Sequence, residues 1–126
     1  MLNCGDTFLI DDEEGYERHL WIVITPPTED EDEVVIVSIT TLRQYSETLV
    51  KLHQGDHSFI KHESVIAYSH AMVVAVEYIE TAIKNGTAER TDPVTAALLN
   101  RVQAGLVESD RTPNGVKYFY RSVMGV

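Results

Sequence analysis

Five histidines, at positions 19, 53, 57, 62 and 70, are the side chains of this 126-residue chain best suited to moving a proton near neutral pH, and four of them follow position 50. Around them stand the other parts that phosphodiester cleavage requires. Cutting RNA takes a base for the ribose 2′-proton, an acid for the leaving oxygen, and a cation or hydroxyl to hold the charged phosphorane. His19, Arg18, Thr40, Thr41, Arg43, His57, Lys61 and His62 are of the right types for these roles. Each also has a plain structural reading: His19 opens a strand, Thr40 and Thr41 cap a turn through Arg43, and Lys61 is one surface charge. Residue type alone does not choose between site and surface.

A metal reading would group His53, Asp56, His57 and His62, because imidazole and carboxylate ligands suit zinc and similar ions. No HExxH or CxxC spacing supports it, and solvated loop histidines are the ordinary alternative, so no metal and no other cofactor is expected. The single Cys4 has no disulfide partner within the chain and no zinc-knuckle spacing. A Gly-x-Ser-x-Gly elbow and a glycine-rich phosphate loop are both missing, which disfavours the familiar hydrolases and nucleotide kinases.

The formal net charge is −10, with acid concentrated in Asp11–Glu14 and Glu29–Glu33. Such a surface repels nucleic acid at long range. Contact with RNA therefore needs a local basic pocket or a basic partner, and a small site gripping one or two phosphates fits this balance. The opening Met1–Asp6 carries no cationic stretch or apolar run of a secretion signal, and no apolar run approaches membrane-spanning length. The expectation is a cytoplasmic protein that makes no use of a membrane.

The elements that must position these residues follow from the hydrophobic pattern. Length and composition fit one α+β domain over 1–126, folding alone or as a homodimer, with strands over about 5–76 and helices over about 77–126. Thr7–Ile10 is a β-prone run opened by Gly5-Asp6 and closed by an acidic hairpin turn ending at Gly15. His19–Thr25 is rich in β-branched and aromatic residues and stops at Pro26-Pro27. Val34–Ile39 is nearly all apolar, predicts a strand buried on both faces, and pairs antiparallel with the preceding one.

Thr48–Leu52, Ser64–Tyr68 and Ala71–Val74 read as shorter strands, and strands at this spacing suggest a small barrel. The period then changes. Glu77–Lys84 reads as helix ended by Asn85-Gly86, after which no further strand is expected. Asp92-Pro93 reads as a cap and first residue of a second helix, with Val94, Ala97, Leu98, Val102 and Leu106 on its packing face. Val116–Val123 is a last short helix.

Gly5-Asp6-Thr7-Phe8-Leu9-Ile10, then Gly15, the apolar strand from His19, and Val34-Val35-Ile36-Val37-Ser38-Ile39-Thr40-Thr41 resemble the opening of PemK/MazF-like toxins. The resemblance covers roughly the first third of the chain. Gly55-Asp56-His57-Ser58-Phe59-Ile60-Lys61-His62 is similar to a segment of relatives of that group. The resemblance implies an SH3-like β-barrel with C-terminal helices, metal-independent endoribonuclease chemistry on single-stranded RNA, and a protein antitoxin as partner. In that family an Arg-Pro pair and an Ile-Thr segment serve the chemistry. By position these match His19, preceded by Arg18, and Thr40.

The departure is at His19-Leu20, which stands in place of Arg-Pro. Histidine as a residue type is fully cationic only below about pH 6.5, so it serves better as base or acid, with Arg18 or Lys61 lending charge. The catalytic set expected from the sequence is His19, Arg18, Thr40, His57 and His62. The rival expectation is a non-catalytic SH3-like module that binds protein through Tyr16, Trp21, Tyr45 and Tyr68.

Overall fold

The computed structural model describes residues 2–11 and 17–126. The chain runs through β1 (Thr7–Asp11), β2 (Arg18–Val23), β3 (Glu33–Thr41), β4 (Lys51–Leu52), β5 (Ser64–Ala75), α1 (Val76–Lys84), β6 (Ala88–Thr91), α2 (Ala96–Glu108) and α3 (Asn114–Met124). The strands form one antiparallel sheet in the order β4-β5-β3-β2-β1-β6, curled into a half-barrel. The acidic turn expected between the first two strands, with Gly15 and Tyr16, lies outside the described residues.

Strand alternation sends side chains to two faces. Leu9, Leu20, Ile22, Val35, Val37, Ile39, Ile66 and Tyr68 face a core completed by Leu98, Val102 and Leu106 of α2 and Val116 and Tyr120 of α3. Phe8, Val23, Val34 and Ile36 face a second core closed by Val76 and Ile79 of α1. This double burial is why β3 is almost continuously apolar, as its sequence predicts.

The Gly5-Asp6 start has a geometric reason. Gly5 sits at φ +96°, a conformation other residues rarely adopt, and exchanges backbone hydrogen bonds with Val23 and Val94. Asp6 Oδ2 accepts from the Asn3 amide at 2.8 Å and from the Arg90 guanidinium of β6 at 2.5 Å, tying the entry of β1 to the sheet edge.

Four expectations are corrected. The two short strands expected at Ser64–Tyr68 and Ala71–Val74 are one strand, β5, with a bulge between them: Ile36 pairs with Met72 but Ser38 with Ala67. Extra residues on one strand break the apolar alternation while the chain stays extended, so the pattern reads as two pieces. Strands also do not end before the first helix. Gly86, at φ +81°, turns the chain back and Ala88–Thr91 adds to the edge at β1. Only Ala88 of β6 is buried, so it carries no apolar signature.

The second helix begins at Ala96, capped by the Thr95 hydroxyl accepting from the Leu98 amide at 3.2 Å, and not at Asp92-Pro93. The Asp92 carbonyl is taken instead by tertiary bonds from Thr7 and His57, each 2.6 Å long. Within the expected packing face, Leu98, Val102 and Leu106 are buried while Ala97 is exposed. Finally, Tyr68, one of the aromatic contacts of the rival protein-binding reading, is fully buried and so is not available for that role.

Candidate functional site

A cleft of about 320 Å³ opens where β2 begins, β3 ends and β5 begins, with the segment 59–62 as its far wall. Of the eight residues whose types suit RNA cleavage, seven border it: Arg18, His19, Thr40, Thr41, Arg43, Lys61 and His62. Antiparallel pairing brings them together. β2 and β3 pair as Leu20 with Ile39, so His19 and Thr40 lie one step beyond adjacent partners, and Thr41 of β3 pairs with Ser64 of β5, two residues after His62. Because the cleft lies at strand ends, Arg18 and His19 both border it despite their opposite strand faces.

Electrostatically the cleft is unlike the rest of the molecule. Among the described residues it is bordered by three Lys and Arg side chains, Arg18, Arg43 and Lys61, but by only one acid, Glu17. The cations are not equivalent. Arg18 Nε lies 3.0 Å from Asp11 and its Nη1 2.9 Å from Glu89, and the hydrogen bond to Glu89 leads the causes that raise its pKa. Among the described residues the Arg43 guanidinium and the Lys61 ammonium have no carboxylate within ion-pair distance, so their charge is available to a ligand.

His62 Nε2 lies 3.2 Å from the Thr41 hydroxyl, while the half-buried His19 ring makes no side-chain hydrogen bond among the described residues. The far wall is pinned from below. His57 is buried: its Nδ1 accepts from the Phe59 amide at 3.0 Å, which leaves the proton on Nε2 for donation to the Asp92 carbonyl at 2.6 Å. Ile60, two residues before His62, plugs the core. His57 does not border the cleft; it fixes the segment that carries Lys61 and His62.

The four residues of the metal reading do not converge. His53 pairs with Glu63 at 3.3 Å, Asp56 accepts from the His53 amide at 2.7 Å, and His57 is engaged as above. Among the described residues no three His, Cys, Asp or Glu side chains are grouped to hold a metal ion. Cys4 is half-buried, and desolvation raises its thiol pKa, which makes it a poor nucleophile.

Ser64, Phe59 and Glu17 also border the cleft and were not singled out by the sequence. The place of Ser64 depends on the β3–β5 register, in which it pairs with Thr41 beyond the bulge, so no local spacing announces it. Of the aromatics in the binding-module reading, Tyr45 is 82% exposed, Trp21 is half-buried against the second core, and Tyr68 is internal. No helix of the described residues is long and apolar enough to cross a membrane.

No family model and no curated protein sequence matches this chain. In fold it is similar to an endoribonuclease from mycobacterial species, solved in complex with its cognate antitoxin. The TM-score is 0.57 at 17% identity, over 90% of this chain and 98% of that one.

Proposed function

We propose that the chain is the toxin of a toxin–antitoxin pair and a metal-independent endoribonuclease acting on single-stranded RNA at the β2–β3–β5 cleft. The observation that carries this reading is the gathering of His19, Thr40, Lys61 and His62 with Arg43 in one cleft on an otherwise acidic molecule. The mycobacterial endoribonuclease of similar fold supports it and makes a protein antitoxin the natural partner. The finer fold reading, an SH3-like barrel of the PemK/MazF kind in a cytoplasmic protein, belongs to the same proposal.

In the proposed reaction a ribose 2′-oxygen attacks the adjacent phosphorus and the P–O5′ bond breaks. A base takes the 2′-proton and an acid returns one to O5′, leaving a 2′,3′-cyclic phosphate and a 5′-hydroxyl. His19 and His62 are the base and acid pair. Arg43 and Lys61 stabilise the negative phosphorane, with a hydrogen bond from the Thr40 hydroxyl. Arg18 contributes less, because Asp11 and Glu89 already offset its charge. His57 acts as a positioning residue through the 57–62 segment.

The test is incubation of the pure protein with mixed RNA in EDTA, with mass spectrometry of the product ends. Cyclic phosphate ends that vanish in His19→Ala support the reading. Equal cleavage by both proteins removes His19 from the mechanism, and no cleavage by the wild type favours the protein-binding module.

A further inference from the structure

Thr40 borders two depressions. On its other side lies a recess of about 160 Å³, bordered also by Ser46, Glu47, Ser69, His70 and Arg111. The β5 bulge builds one wall, since residues 68–71 stand opposite Val37 alone between the Ala67 and Met72 pairings, and they carry Ser69 and His70 outward to exposed positions. The turn between α2 and α3 supplies Arg111, held loosely by a 3.4 Å hydrogen bond from Nη1 to the Tyr45 carbonyl. Arg111 forms no ion pair among the described residues.

Glu47 makes the recess chemically specific. Its Oε2 accepts from the Ser109 hydroxyl at 2.6 Å, whereas Oε1 is the one buried side-chain oxygen or nitrogen without a hydrogen-bond partner among the described residues. An unpaired buried acceptor is costly, and a turn of the enclosed Glu47 carboxylate into the recess would let a ligand N–H recover that cost. A guanidinium and an imidazole beside a carboxylate short of a donor is the complement of a nucleotide: phosphate for Arg111 and His70, a base N–H for Glu47.

We infer that this recess is a second nucleotide subsite, contiguous with the cleft through Thr40, which holds the RNA chain next to the cleaved linkage. This inference rests on the endoribonuclease reading for the identity of its ligand, but it is testable without cleavage. Binding of all-2′-O-methyl RNA, which has no 2′-hydroxyl to react, is measured by fluorescence anisotropy with a dinucleotide and a pentanucleotide across a salt series.

Wild type should bind the pentamer about tenfold or more tightly than the dimer. Arg111→Ala should lose most of that advantage, with a salt slope shallower by about 0.7 for one lost phosphate contact, and leave the dimer unchanged. His70→Ala, at an exposed position that the fold tolerates, should move in the same direction. If both variants bind the pentamer as wild type does, the subsite is overturned. RNA that binds with this Arg111 dependence and is never cut upholds the subsite and overturns the endoribonuclease. RNA that is not bound at all overturns both.

Discussion

The Tyr68 hydroxyl of β5 donates a 2.7 Å hydrogen bond to the Val102 carbonyl of α2, fastening the strand that bears the bulge to the helix beneath it. Gly105 makes the approach possible. A Cβ there would lie 2.1 Å from the Tyr68 oxygen and 2.9 Å from Val50 Cγ2. Gly105→Ala should therefore destabilise the fold by about 1–3 kcal/mol, the usual cost of overpacking a core. Thermal denaturation checks it; an unchanged or higher Tm would mean the helix is free to shift.

Burial holds the Tyr68 phenol well above the ordinary tyrosine range, and burial raises Tyr120 as well. Both stay protonated in the fold at pH values where the unfolded chain would lose the proton. Their contribution is complete below about pH 10, the ordinary tyrosine value, and is lost as pH rises above it. Urea midpoints should hold up to about pH 10 and fall as the pH rises above it. Tyr68→Phe should cost about 1 kcal/mol at pH 7 for the lost hydrogen bond and flatten that decline.

The two carboxylates on Arg18 predict a gain of function. Glu89→Gln removes the leading partner of a guanidinium at the cleft rim and should tighten RNA binding severalfold, whereas Arg18→Ala should change it little. Lys61→Ala, which removes a charge without an ion-pair partner among the described residues, should weaken binding about tenfold. Anisotropy titrations with RNA rank the three, and a Lys61 variant that binds like wild type would displace this assignment.

His57→Ala separates positioning from chemistry. It removes a buried ring bonded at both nitrogens and leaves the Asp92 carbonyl without that donor, so a stability loss of about 1–3 kcal/mol is expected. His62→Ala, at an exposed position, should leave Tm within about 1 °C while lowering kcat. The reverse pattern in melting and kinetics would exchange the two roles.

The parts of this molecule that local chemistry dictates were readable from the sequence. Trp21–Val23 and Val34–Ile39 are β-branched and apolar because both sheet faces are covered, and Gly5 and Gly86 mark backbone that only glycine adopts easily. Seven of the residues suited to RNA chemistry lie around one cleft, since they fall at or beside the ends of β2 and β3 and in the 59–62 segment that faces those ends. What escaped depends on distant partners. The four residues of β6 are a strand only because β1 offers an open edge, and the β5 bulge exists because β3 imposes two registers. His57 has the same residue type as His62; its burial and its bond to Asp92, 35 positions away, decide its different part.

A chain of net charge −10 that keeps three of its ten basic residues on one cleft turns a polyanion away from nearly every direction of approach. Added salt then works in two opposing senses: it screens the repulsion, so encounters become more frequent, and it loosens the grip of Arg43 and Lys61 once docking has occurred. For the proposed endoribonuclease, RNA binding should therefore be tightest at an intermediate ionic strength, which an anisotropy titration across a salt series checks. The acidic shell disfavours the accumulation of long duplexes and bulk nucleic acid on the rest of the surface.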